Sequence, residues 1–305
     1  MTAGGGSEHE HEREGETRAA PDPGGIRALS LDIDGTLLTP GGRITARTVR
    51  AVRAALARGV LVVLCTGREY SGVGDLAREL RLDLPAIVRN GAAVQELADG
   101  RVLAQRRLPE GTVGRAIALL LDQGATPMLM QGPAAGDDVC TLPPARCTAA
   151  VDFYERLWWR SVRYRRVPSV EALAAMTDTT WIGGAGGHAV AFAAYEALGA
   201  LPGVRRMWTG QDGRVREFAY AAVTPPCSKA TALEEFAARQ GIGMHEIMAV
   251  GDYLNDVEML RDVGWGVAMG QAPAAVRAVA DAITLDNDND GCALAIERYL
   301  LGDAR

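Results

Sequence analysis

The sequence predicts an α/β protein: a doubly wound, parallel-sheet (Rossmann-like) core with an inserted α+β domain. Three observations lead there. Over residues 26–90, short and continuously apolar runs alternate with amphipathic helical segments, as strands buried on both faces of a parallel sheet do. Over residues 91–223 the rhythm gives way to Asp-Gly turns between runs of strand character, which marks hairpins and an α+β unit. Over residues 224–305 the first rhythm returns. One core in two pieces, with one insertion between them, accounts for all three.

Each element has a local reason. Ala28–Ile33 is an apolar run that stops at the turn pair Asp34–Gly35. Thr45–Arg58 carries Val49, Val52 and Leu56 at helical spacing, and Gly59 ends it. Val60–Leu64 is a strand rich in β-branched residues, Gly74–Leu82 a second amphipathic helix, and Pro85–Val88 a third apolar strand. In the insertion, Ala93–Leu97 and Val102–Leu108 flank Asp99–Gly100 as a hairpin, and Val113–Asp122 is helical. Met128–Met130 is a short strand, followed by a Gly/Pro loop and a helix at Ala149–Arg160. Thr180–Ile182 is a strand that leads through a glycine loop, Gly183–Gly187, to a helix at Ala189–Leu198. A second hairpin joins Arg205–Trp208 to Val215–Tyr220 through Asp212–Gly213. The core then resumes with helices at Lys229–Arg239, Asp256–Arg261, Ala274–Ala280 and Cys292–Leu300. Strands at Ile247–Val250, Trp265–Ala268 and Ala282–Thr284 separate them.

Composition excludes several classes. The 305 residues are 48% hydrophobic and 23% charged, which is ordinary for a globular chain and excludes a wholly disordered one. The longest purely aliphatic stretch, Val60–Leu64, is far short of the ~20 residues that span a bilayer, so no membrane partner is expected. The net charge of −6 argues against a nucleic-acid partner. Cys65, Cys140, Cys147, Cys227 and Cys292 are odd in number and lack Cys-x-x-Cys spacing. They read as free thiols in a reducing compartment, so a cytoplasmic location is expected. Residues 1–25 carry Gly, Glu, Arg and Pro without an apolar segment and read as a disordered tail. His9 and His11 within it belong to a solvated charge run.

Acidic residues gather where a sheet does not need them. Asp32 and Asp34 follow the first strand, and in open parallel sheets ligands bind beyond the strands' carboxyl ends. Two apart on an extended segment, they can share a face while Ile33 points inward. Carboxylates that close repel unless a cation sits between them or one is protonated. A hard divalent cation answers that, and an Asp-Gly turn capping a strand is the plainer alternative. Asp252 and Asp256 follow the strand Ile247–Val250 at a spacing that a turn into a helix would close, where Asn255 can cap. Thr66 and Gly67 end Val60–Leu64 and offer a hydroxyl and an amide to an anion. Lys229 is the only lysine among 32 basic residues, and a compact ammonium fits a tight anionic pocket where a guanidinium does not. Together these are materials for metal-assisted phosphoryl transfer.

At these residues the sequence resembles the haloacid dehalogenase superfamily. Leu31-Asp32-Ile33-Asp34-Gly35-Thr36-Leu37-Leu38, Thr66-Gly67-Arg68, Ser228-Lys229 and Gly251-Asp252-Tyr253-Leu254-Asn255-Asp256 are similar to its four motifs, in order. The long insertion between the second and third, with Asn90-Gly91 at its start, resembles the Cof-like hydrolase branch, as do Val267-Ala268-Met269-Gly270-Gln271-Ala272 and Asn289-Asp290-Gly291. Ala230 and Gln271 stand where that branch usually has glycine and asparagine.

The resemblance implies a magnesium-dependent phosphatase acting on a small phosphorylated metabolite. It implies that Asp32 attacks phosphorus, giving an aspartyl phosphate, and that Asp34 is the general acid and base. It implies that Mg2+ meets the carboxylates of Asp32 and Asp252 and the backbone carbonyl of Asp34, with Asp256 holding its waters. Thr66, Gly67, Lys229 and Asn255 would bind the phosphoryl group. The insertion would be a cap over the site, where Arg156, Arg160, Arg163, Arg165 and Arg166 meet an anionic substrate or form a solvated helix face. A phosphomutase or phosphotransferase on the same scaffold, or a non-catalytic phospho-Asp binding module, is the alternative. The substrate and the oligomeric state stay open.

Overall fold

The computed structural model describes residues 23–158, 162–209 and 217–302. The tail with His9 and His11, Arg160 and the Asp212–Gly213 turn lie outside them.

The chain starts with strand β1 (Ala28–Leu31), every residue of which is buried. Helix α1 (Ala46–Ala57) begins at Thr45, whose side chain accepts from the Thr48 amide, and it lays Ala51, Val52 and Ala55 on the sheet. Strand β2 (Leu61–Leu64) and helix α2 (Gly74–Leu80) follow. Strands β3 (Ala86–Val88), β4 (Ala93–Gln95) and β5 (Val102–Gln105) then form a three-stranded antiparallel sheet. The expected third parallel strand therefore pairs with the hairpin, and meets the core sheet through one bridge, Cys65 to Ile87. That hairpin, which the sequence reading places in the insertion, shares its apolar contacts with the core: Val94 packs with Ile87, Ala230, Leu233 and Phe236.

The inserted sheet contains β6 (Thr126–Gln131), β7 (Asp138–Thr141), β8 (Arg163–Arg166), β9 (Thr179–Gly186), β10 (Arg205–Trp208) and β11 (Ala219–Thr224). Their order across the sheet is β10-β11-β9-β6-β7-β8, antiparallel except for β7 with β8. Helices α3 (Thr112–Asp122), α4 (Ala149–Trp158), α5 (Val170–Ala174) and α6 (His188–Leu198) accompany it. Leu129, Ile182 and Ala221 face the cluster built with α3 and α6. Met128, Met130 and Ala185 face the other side, with Tyr154 of α4.

Two expectations are corrected here. Arg163, Arg165 and Arg166 are not a helix face; they are an edge strand, in which Arg163 and Arg165 pair with Asp138 and Arg166 with Glu155. The period-two burial of Val162, Tyr164 and Arg166 carried that signal beneath the arginine count. Gly183–Gly186 is not a loop either. It is the second half of β9. A Cβ at Gly184 would lie 2.7 Å from Leu120 of α3, and one at Gly186 2.6 Å from Val190 of α6. The glycines let the helices approach the sheet.

The core closes with α7 (Lys229–Arg239), β12 (Ile247–Gly251), α8 (Val257–Asp262), β13 (Trp265–Ala268), α9 (Ala274–Arg277), β14 (Ala282–Ile283) and α10 (Gly291–Tyr299). Its sheet is wholly parallel, in the order β14-β13-β12-β1-β2. β1 therefore sits between β2 and β12, where the strand order reverses. In such sheets the crevice beyond the strand ends at that reversal is the ligand site.

Candidate active site

The register of β1 and β12 sets Leu31 opposite Val250, so Asp32 and Asp252 leave neighbouring strand ends. Asp32 is buried and Ile33 points into the core, as expected. Asp34 does not share Asp32's surroundings. The strand ends at Leu31, and the amides of Thr36, Leu37 and Leu38 fold back onto the Ile33 carbonyl. The turn swings Asp34 outward, where its side chain is 62% exposed and meets Arg68 in a bidentate pair at 2.6 and 2.7 Å.

Asp32, Asp252 and Asp256 are all buried and bring carboxylate oxygens within 4.8 Å of one another. Lys229 reaches them from the first turn of α7, which Ser228 caps through the Thr231 amide. Its Nζ, fully buried, donates to Asp32 Oδ1 at 2.5 Å and Asp256 Oδ1 at 2.7 Å. Asp256 Oδ2 accepts the amides of Asp252 and Tyr253 at 3.0 Å each, so Asp256 ties the turn after β12 to the lysine. Burial pushes the Asp32 carboxyl up to about 8 against the pull of Lys229, with Asp256 and Asp252 adding to the rise. Burial alone would lower Lys229, but Asp256 and Asp32 outweigh it and hold the ammonium charged.

Three carboxyl groups beside one ammonium cannot all ionise without further positive charge. An all-oxygen donor set with excess negative charge fits a hard divalent cation. Gln271 braces it: its Nε2 donates to the Gly35 carbonyl at 2.6 Å and to Asp252 Oδ2 at 3.4 Å. Gly35 is packed against the same carboxylate. Its φ is +82° and a Cβ there would lie 2.1 Å from Asp252 Oδ2, a position open only to glycine. Gly35→Ala is expected to displace Asp252 and weaken divalent-cation binding about 10–100-fold, the scale of lost support around a metal ligand. Calorimetric titration with Mg2+ measures it, and an unchanged affinity would show that Asp252 is not a ligand.

The loop after β2 stands at the strand end next to β1. Thr66 is buried and its Oγ1 accepts the Arg68 amide at 3.1 Å. The Arg89 and Asn90 amides donate to the carbonyls of Arg68 and Thr66, lacing the loop to the segment after β3. Asn90, with a left-handed φ of 55°, accepts from Asn255 Nδ2 at 2.7 Å, and a Cβ on Gly67 would lie 3.0 Å from its Oδ1. The structure thus joins Thr66, Gly67 and Asn255 through a residue that the sequence marked only as the start of the insertion. Its signal was the Asn-Gly pair, since asparagine tolerates the left-handed region.

Arg89 was also missed. It is buried, pairs with Glu69 and Asp137, and donates to the Gln131 carbonyl and to Thr180 of the inserted sheet. Burial holds the Glu69 carboxyl up near 7 in spite of Arg89.

The family model for haloacid dehalogenase-like hydrolase matches residues 29–138 and 214–296. The pyridoxal phosphate phosphatase YbhA of Escherichia coli (strain K12) is 26% identical over 281 residues, covering 90% of this chain and 99% of its own. The putative phosphatase YxeH of Bacillus subtilis (strain 168) is 29% identical over 280 residues, covering 90% and 98%. Among solved structures, a haloacid dehalogenase-like hydrolase from Bacteroides thetaiotaomicron superposes with a TM-score of 0.74 at 25% identity, covering 90% and 99%.

Proposed function

The chain belongs to the haloacid dehalogenase-like hydrolases, and from that premise we propose that it hydrolyses a small phosphate monoester through an aspartyl phosphate on Asp32, with magnesium. One observation carries the reading. Three buried carboxylates surround a single buried lysine beyond the ends of β1 and β12, with a fourth carboxylate, Asp34, at the mouth.

In this reading Lys229 holds Asp32 by one oxygen and leaves the other to attack phosphorus. The bond from phosphorus to the ester oxygen breaks as the bond to Asp32 forms. Asp34, released from Arg68, gives its proton to the departing alkoxide. As a carboxylate it then takes a proton from a water that attacks the aspartyl phosphate, which frees inorganic phosphate and restores Asp32. Thr66, the Gly67 amide, Asn255 and Lys229 hold the phosphoryl oxygens as charge develops on them. Asp32, Asp252 and the Asp34 carbonyl would hold Mg2+, with Asp256 beside it, and the ion would offset charge on the phosphoryl group when bound. The inserted sheet covers the crevice as a cap and shapes what enters. The phosphatase names of YbhA and YxeH support the reaction class.

Chelation is expected to reduce phosphate release at least about 100-fold, and added Mg2+ to restore it. Undiminished turnover in chelator would overturn the metal assignment. Release of one inorganic phosphate per ester consumed separates hydrolysis from transfer to a second alcohol.

A further inference from the structure

Between the core site and the inserted sheet lies a cavity of about 490 Å³. Asp34, Gly67 and Asn90 form its floor, so it is where the alcohol portion of a bound ester would lie. Two properties of its wall limit that alcohol.

The first is that one side of the wall is apolar and partly aromatic. Met130, Val162, Trp181, Met207 and Tyr220 line it. Trp181 and Tyr220 meet edge to face with ring centroids 5.8 Å apart, and Tyr220 stands in the same way against Tyr154 at 5.1 Å. These contacts hold the two rings in fixed orientations, and such rings favour a flat partner.

The second is that most of the charged and polar groups of the cavity are engaged with one another. Arg68 is paired with Asp34 and donates to the Gly72 carbonyl. Arg89 is paired with Glu69 and Asp137, and also takes Thr180. Asn90 accepts from Asn255. Arg89 stays committed to Glu69 and Asp137, while Arg68 comes free only as Asp34 turns to the ester. A polyhydroxylated ring would bury hydroxyls among groups already satisfied, which costs free energy for every hydroxyl left unmade.

Resting on the phosphatase reading above, we propose that the preferred substrates are monoesters of an alcohol that carries a flat, largely apolar ring, with Trp181 and Tyr220 selecting it. Sugar phosphates and other esters without a flat ring are the disfavoured classes.

The test compares benzyl phosphate, glucose 6-phosphate and phosphoglycolate on the full chain with Mg2+. All three are esters of primary carbons, so the ratios report the cavity more than the leaving group. Acetyl phosphate, which lacks a ring, serves as the reference. The expected kcat/KM for benzyl phosphate exceeds the other two esters at least about tenfold, the scale on which pockets separate ligands by apolar fit. Trp181→Ala is expected to lower the ratio of benzyl phosphate to acetyl phosphate by a similar factor. The wild-type ratios decide the matter even if that variant does not fold. Turnover of all four with glucose 6-phosphate or phosphoglycolate equal to or better than benzyl phosphate would overturn the selection and leave the phosphatase reading standing. Turnover of none would overturn both.

Discussion

Asp32→Asn is expected to remove turnover by at least about 10⁴-fold and to leave no phosphate on the chain, because in the proposed mechanism a single substitution deletes both nucleophile and metal contact. The carboxamide still fits beside Lys229, so the fold should persist. Asp34→Asn is expected to behave differently. Its side chain stands outside the buried cluster, so Asp32 remains free to attack. With p-nitrophenyl phosphate, whose leaving group needs little protonation, the variant should still form aspartyl phosphate. Hydrolysis of that intermediate should slow by about 10²–10⁴-fold, the usual worth of general base assistance. Mass spectrometry of acid-quenched protein reads both outcomes. Phosphate on any residue other than Asp32 in the parent enzyme would overturn the assignment.

The second large effect concerns Lys229. Its ammonium bridges the buried Asp32 and Asp256. Lys229→Met leaves two buried carboxylates facing each other, which typically costs about 3–5 kcal/mol. For a chain of this size that corresponds to a fall in Tm of roughly 10 °C. Phosphate release should fall with it, about 10²–10³-fold, as for loss of one oxyanion donor. Lys229→Arg should not rescue either property, because the planar fork is broader than the ammonium it replaces. The pH dependence has a defined sign. Burial already raises Asp32 with the lysine present, and without it the rise is greater. The folded variant then binds protons that the unfolded chain does not, so its stability deficit should shrink as the pH falls. A deficit that is constant with pH would mean that the lost contacts are packing and not charge.

The acidic residues were legible because each follows a strand, and a run of apolar residues ending in Asp is visible without a partner. Lys229 was legible through composition, as the one lysine in an arginine-rich chain. The inserted domain was read less well. The Gly/Pro pattern after Met130 reads as loop, yet Asp138–Thr141 within it pairs with both neighbours as a strand. Gly183–Gly186 reads as loop because glycine usually weakens a strand, while here α3 and α6 press on the face that glycine leaves bare.

The sequence by itself determined the parallel core, the presence of an inserted α+β segment and the acids at the strand ends. Those follow from hydrophobic period and turn residues, which act over a few neighbours along the chain. Only the tertiary structure decided that Arg68 holds Asp34, that Asn90 joins Asn255 across 165 positions, and that Trp181 and Tyr220 wall the cavity. Such contacts bring together side chains from segments far apart in the sequence. Their partners are chosen by how the two sheets pack, and no local pattern carries that choice.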